Sequence, residues 1–330
     1  MKSIAKALKW FFILLLVVVV GLLVFIQISF PKKFEAPYPA IHASKDSAVI
    51  ARGKYIVYGI AHCAECHAPL TEFNKVETGQ EVPLSGGHDF FLPVGVIHSP
   101  NITSDEETGI GKLKDEEIAR ALRYGVRHDG NAILDFMPFY HLSDEDLTAV
   151  VSYLRTIPPV KNKVPDHDWN FLGKAIGTFM IKPMGDGKIE PAPAVDTTIA
   201  YGKYIGENVA NCRGCHTIRD MKTGAFTGTY YTGGMQFEMA SAEGTVVKGK
   251  HLVTPNLTPD PETGRITGWS QQQFVDRFKQ GRLIPGSIMP WGPFSRMTNT
   301  ELVAIYKYLR TLEPIKNETP AGVQEGDPVQ

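Results

Sequence analysis

The chain's four cysteines fall into two short runs of one pattern, Cys63-Ala-Glu-Cys66-His67 and Cys212-Arg-Gly-Cys215-His216. Two thiols at that spacing can each take one haem vinyl group as a thioether, while the imidazole that follows swings back onto the iron. A Cys₄ zinc site or a redox dithiol would use the same cysteine spacing. Neither gives histidine a reason to follow the second cysteine both times. The pattern therefore predicts two covalently attached haem c groups, with His67 and His216 as iron ligands. No cysteine is left over for a disulfide.

The ligand on the far side of each iron decides the chemistry. Methionine raises the potential and closes the site for electron transfer, a second histidine also closes it, and an empty position would admit peroxide or dioxygen. Between His67 and Arg155 there is one methionine, Met137, in Phe136-Met137-Pro138-Phe139. The second half repeats it as Ile288-Met289-Pro290-Trp291, at 73 residues from its histidine (289 − 216) against 70 in the first half (137 − 67). Met221, Met235, Met239 and Met297 have no counterpart in the first half. A methionine beside an aromatic is more often packing than ligand, but recurrence before the same later helix favours Met137 and Met289. Histidine is the rival: His62, His88, His98, His128 and His141 lie in the first half, but only His251 joins His216 in the second. Pro100 and Pro255 can offer a carbonyl to the Nδ1–H of the proximal histidine, fixing ring orientation and basicity; a rigid Pro-Asn turn is the other reading. Asn101, Asn256, Arg123 and Arg155 are candidates to reach haem propionates.

The elements that position these residues also come in pairs. Arg52-Gly53-Lys54-Tyr55-Ile56 matches Tyr201-Gly202-Lys203-Tyr204-Ile205, Gly86-Gly87 matches Gly233-Gly234, and Pro100-Asn101-Ile102-Thr103 matches Pro255-Asn256-Leu257-Thr258. Glu107-Thr108-Gly109 matches Glu262-Thr263-Gly264, and Tyr153-Leu154-Arg155-Thr156 matches Tyr308-Leu309-Arg310-Thr311. Each unit is expected to hold three helices. The first, near Ala48–Ala61 and Thr198–Ala210, carries a glycine that lets another helix come close. The second, Lys114–Tyr124 and Ser270–Gln280, stops at Gly125 or Gly281. The third opens with a capping box, Ser143-x-x-Asp146 or Thr298-x-x-Glu301, and then carries apolar residues at helical spacing. No long alternating strand pattern is present, so the expected class is all-α, with a small core completed by haem.

From Trp10 to Phe30 there is no charge, and a helix of that stretch would be roughly 31 Å long, about the thickness of a bilayer core. Lys2, Lys6 and Lys9 precede it and Lys32 and Lys33 follow, a bias that modestly favours the N-terminus inside and exports the rest. A cleaved signal is the competing reading, but the apolar run is longer than an h-region and no small-x-small site follows it. A hydrophobic content of 43% with 21% charged residues describes a folded protein, and the net charge of −1 lacks the basic excess of a nucleic-acid binder. The expected organisation is a membrane anchor at 1–31, an extended tether at 32–47, haem units at 48–160 and 197–316, an apolar strap at 161–196 packed across both units, and a mobile tail at 317–330.

With these residues in order, the sequence resembles the cytochrome c subunits of membrane-bound bacterial alcohol, aldehyde and gluconate dehydrogenases. The likeness runs over about residues 48–316 and rests on R-G-K-Y, C-A-E-C-H, P-N-I-T-x-D-x-E-T-G-I-G, F-M-P-F and Y-L-R-T-I-P-P-V. It implies tandem class I-like cytochrome c folds, His/Met ligation through Met137 and Met289, a periplasmic location at the inner membrane, and electron delivery toward quinone or a terminal oxidase. Such subunits usually have three haem modules, where this chain has two. The expected function is thus electron transfer between a periplasmic donor and the respiratory chain, without catalysis of its own. A cytochrome subunit of a terminal oxidase complex and a dihaem peroxidase are the alternatives, the latter requiring an open iron.

Overall fold

The computed structural model describes residues 2–135, 137–220, 224–241 and 246–328; Phe136 and Met221 lie outside them. The chain opens with α1 (Lys2–Ser29), whose apolar side chains are exposed around the helix, as a segment meant for lipid or for a translocation pore would be. The first unit contains α2 (Ser47–Tyr55), α3 (Cys63–His67), α4 (Phe73–Glu77), β1 (Asp89–Leu92), β2 (Gly95–His98), α5 (Asp115–Tyr124) and α6 (Asp144–Leu154). A connecting stretch holds β3 (Asp168–Trp169) and α7 (Phe171–Phe179). The second unit contains α8 (Ile199–Tyr204), α9 (Cys212–Cys215), β4 (Gln236–Ala240), β5 (Val246–Val253), α10 (Gln271–Lys279), α11 (Trp291–Ser295) and α12 (Asn299–Leu309), followed by β6 (Val323–Glu325).

The three expected helices of each unit are present. In both units the first pair packs so closely that only glycine fits: a Cβ on Gly53 would fall on the Ala149 carbonyl of α6, and one on Gly202 on the Ala304 carbonyl of α12. Both first helices then widen into a π-turn, Ile56–Ile60 and Ile205–Val209, closed by Ala61 N–H to Ile56 O at 2.9 Å and Ala210 N–H to Ile205 O at 2.8 Å. At its end a single left-handed residue, His62 (φ 44°) or Asn211 (φ 52°), turns the chain into the cysteine helix. Gly125 and Gly281, both left-handed, follow the second helices as expected.

Four expectations need correction. The molecule is mostly helical but not all-α: β1, β2 and β3 form one antiparallel sheet and β4, β5 and β6 another. The tail does not hang free, because β6 pairs with β5 at Lys250↔Glu325 and Leu252↔Val323. The tether is extended but stitched to the first unit: Phe34 N–H bonds Gly130 O at 2.8 Å, Ala43 N–H bonds Asp115 Oδ2 at 2.7 Å, Ser44 N–H bonds Ser152 Oγ at 2.8 Å, and Ile41 is buried. The strap does not bury its apolar residues between the units. Its helix α7 lies against the end of α1 and the β1–β2 turn, with Phe171, Leu172, Phe179 and Met180 about half exposed.

The two units share one hydrophobic core, in which Ile56, Ile60 and Leu147 of the first are continuous with Ile205, Met297 and Leu302 of the second. Across the seam the contacts are reciprocal. Tyr204 donates its hydroxyl to Asp146 Oδ2 of the first unit at 2.7 Å and accepts from Ser143 N–H at 3.2 Å. Tyr55 of the first unit likewise donates to Glu301 Oε2 and accepts from Thr298 N–H at 3.1 Å. Each tyrosine thereby caps the third helix of the other unit. Arg52 completes the cluster, bonding both oxygens of Asp146 at 2.9 and 3.0 Å and lying 3.7 Å from Glu301 Oε1.

Candidate haem sites and their surroundings

Each cysteine pair sits on a short helix launched by the π-turn, and all four thiols are unpaired. Burial pushes the Cys63, Cys66 and Cys212 thiols up to about 12. Burial, with the Glu65 carboxylate adding to it, pushes Cys215 up to about 11. At those values the thiols are neutral near pH 7, unlike the thiolates of a zinc centre. Among the described residues no three His, Cys, Asp or Glu side chains converge on a metal position, so the two pairs do not form a Cys₄ site.

The His67 and His216 imidazoles are supported in the same way. His67 Nδ1–H donates to Pro100 O at 2.9 Å, and His216 Nδ1–H to Pro255 O at 3.1 Å. That bond selects the tautomer whose lone pair is on Nε2, the nitrogen an iron would take. Burial lowers the His67 pKa and takes His216 down to about 4, so both rings are neutral near pH 7.

What holds the two prolines in place was not evident from sequence. The Gly-Gly pairs thread between the histidine and the Pro-Asn loop: Gly86 N–H bonds His67 O at 2.7 Å and Gly87 N–H bonds Ser99 O at 2.9 Å. Gly233 N–H bonds His216 O and Gly234 N–H bonds Thr254 O, both at 2.9 Å. All four glycines have positive φ, and a Cβ on Gly86 or Gly233 would enter the backbone of Pro100 or Pro255. Their recurrence at matched positions was the available signal, though on its own it reads as turn material.

Asn101 and Asn256 are buried and bonded within their own loops. Asn101 Nδ2 donates to Thr108 Oγ1 (3.1 Å) and Val160 O (2.8 Å), and its Oδ1 accepts from Thr103 N–H and Oγ1–H. Asn256 repeats this with Thr263, Ile315 and Thr258. Both are loop locks with no hydrogen-bonding capacity to spare. Arg155 is spent on Asp115, Ile110 O and Leu113 O. Arg123 is held by Asp144 and Leu142 O, although its buried Nε is unpartnered.

Met137 and Met289 are partly buried against the shared core and take the same local turn, their carbonyls accepting from Phe139 N–H at 2.9 Å and Trp291 N–H at 2.7 Å. Of the rival histidines, His251 bonds Gly326 O, His98 bonds Asp89 and His141 bonds Lys188 O, whereas His88 stacks on Phe90 with its buried Nδ1 unpartnered and His62 stacks on Phe294. His128 is exposed. Unpaired thiols, a neutral imidazole held through Nδ1 and a recurring thioether form a donor set that fits haem c.

The comparisons with known proteins agree. Residues 50–158 match the cytochrome c family, so that stretch of the first unit is similar to a cytochrome c domain. More particularly, the chain resembles the cytochrome c subunits of membrane-bound bacterial dehydrogenases. It is 31% identical to the cytochrome c subunit of a quinone-dependent alcohol dehydrogenase of Gluconacetobacter polyoxogenes, over 82% of this chain and 57% of the relative. It is 28% identical to the fructose dehydrogenase cytochrome subunit of Gluconobacter japonicus, over 84% and 55%. A dihaem c-type cytochrome of Cereibacter sphaeroides is 27% identical over 52% of this chain and 57% of the relative. The chain thus spans little more than half the length of these relatives.

Proposed function

We propose that the chain is a membrane-anchored dihaem cytochrome c that passes single electrons from a periplasmic dehydrogenase to the respiratory chain. In this reading residues 48–160 and 197–316 are two class I-like haem domains, α1 stays in the inner membrane, and the domains lie on its periplasmic side. Cys63 and Cys66 hold one haem c and Cys212 and Cys215 the other. His67 and Met137 ligate the first iron, His216 and Met289 the second. When bound, the haems supply reversible one-electron chemistry. The chain's own residues keep each imidazole neutral and oriented through Pro100 or Pro255, close the far side with a thioether, and exclude water by burial.

The observation that carries the reading is the duplication of the complete support. π-turn, left-handed residue, cysteine pair, imidazole-to-proline bond, Gly-Gly clamp and Met-Pro turn occur in the same order in both halves. The likeness to alcohol and fructose dehydrogenase subunits supports the donor class.

The test is mass spectrometry and redox titration of the full chain, matured in a host that makes c-type cytochromes. Two haems per polypeptide and two one-electron waves are expected. Met137→Ala should lower the potential of one wave and Met289→Ala that of the other, each with loss of the spectral signature of methionine ligation. A single haem, or variants with unaltered waves and spectra, would overturn the assignment. Rapid binding of carbon monoxide to one reduced haem would point instead to an open, peroxidase-like iron.

A further inference from the structure

A second patch of the molecule has a chemistry that electron transfer does not use. Helix α7 turns its two inward glycines onto other elements: Gly173 lies against Val94 O and the Trp169 ring, and Gly177 against the Phe30 ring. Its opposite face, with the residue after it, presents Phe171, Leu172, Phe179 and Met180 at 47%, 53%, 53% and 46% exposure. Three large apolar side chains so exposed on one short helix, with a fourth just after it, are unusual for a surface in water.

The position of α7 says what covers them. Phe179 stacks on Phe25 of α1 at 6.0 Å, Lys174 Nζ donates to Gln27 Oε1 at 3.1 Å, and Trp169 meets Phe30 edge-on at 5.4 Å. Phe171 lines a shallow apolar groove with Leu23, Val24 and Ile28 of the same helix. The exposed face of α7 is therefore continuous with the C-terminal end of α1. Lys174 lies on α7 itself, Lys32 and Lys33 come shortly after the end of α1, and Lys182 shortly after the end of α7.

We propose that α7 lies in the bilayer interface, its apolar face in the acyl boundary of a phospholipid membrane, as a second contact beside the spanning helix. The proposal rests on the reading that α1 is retained as an anchor. Given that, any surface level with Phe25 and stacked on it meets the same lipid as Phe25. An amphipathic helix in the interface buries its apolar side and keeps its cations among anionic headgroups, and Trp169 and Phe30 supply aromatic rings at that level.

The test uses the full-length holoprotein, with no other protein, in phosphatidylethanolamine/phosphatidylglycerol liposomes doped with a diazirine-tailed phosphatidylcholine. After illumination the labelled peptides are mapped by mass spectrometry. Label is expected on α1 and on residues 171–180, well above that on Leu283, an apolar side chain exposed on the second unit. The triple variant Phe171→Glu, Leu172→Glu, Phe179→Glu should lose the 171–180 label several-fold while keeping the α1 label and the haem spectrum. The single variant Leu172→Gln, which perturbs folding less, should show a smaller loss of the same sign. Label on α1 with none on 171–180 would overturn the proposal and leave the anchor standing, and would point to a protein as the occupant of this face. A mature chain lacking α1, read from its intact mass, would overturn the anchor itself and this inference with it.

Discussion

At the scale of single residues, the most constrained positions are those that carry no chemistry of their own. Gly86 and Gly233 combine a left-handed backbone with contact against the proline whose carbonyl holds the His67 or His216 imidazole. Gly86→Ala or Gly233→Ala should therefore cost about 1–3 kcal/mol in denaturant unfolding, the range for a strained non-glycine residue. It should also shift the potential of one redox wave only, since moving the carbonyl changes the basicity of one ligand. His62 makes a different prediction. Stacked on Phe294 of the second unit, it has its pKa lowered by burial to about 4, below the ordinary 6.5. Because the unfolded chain then binds the proton more readily, stability is lost as pH falls from about 6.5 toward 4. His62→Phe should remove that part of the acid loss, read as a smaller fall in thermal midpoint between pH 7 and pH 4.5 than the parent shows.

Among elements, the helix pairs α2 with α6 and α8 with α12 set the geometry from which each cysteine helix is launched. Gly53→Ala or Gly202→Ala must push a helix off the carbonyl of Ala149 or Ala304, an overpacking change of about 1–3 kcal/mol or more. Chemical denaturation checks it, and a neutral result would mean that the two helices are not in contact in solution. These elements were legible in the sequence because their signals are local. Ser143 and Thr298 cap their helices by bonding the residue three further on, and Gly125 and Gly281 end theirs from within two positions. The cysteine pairs and the histidine after each are local in the same sense. What was not legible depends on distant partners. Nothing near Gly86 announces that Pro100 will lie against it, and Asn101 gives no local sign that Val160 will take its amide. The strands carry weak local signals because β1 is only Asp-Phe-Phe-Leu, without alternation, and β5 is interrupted by lysines and Gly249. The strap was misjudged because apolar composition says that a face will be covered without saying by what.

On the scale of the whole molecule, the two units are joined by a seam in which each supplies the tyrosine that caps the other's third helix. Tyr55→Phe with Tyr204→Phe would take one hydroxyl donor from buried Glu301, still held by Thr298 and Tyr201, and one from buried Asp146, still held by Arg52, at about 1 kcal/mol per hydrogen bond lost. The expected outcome is a lower unfolding midpoint together with faster proteolysis of the strap, as the units loosen from one another. Unchanged values would mean that the shared apolar core alone holds them. The stitched segment between α1 and α2 has a consequence of another kind. A redox carrier on a slack leash can lean and turn to meet whatever reaches it, but here the leash is sewn along the flank of the first unit at Phe34, Ala43 and Ser44. For a chain anchored as proposed, the head cannot swing independently of its stalk. It meets donors and acceptors by drifting sideways in the plane of the membrane, always offering them the same side.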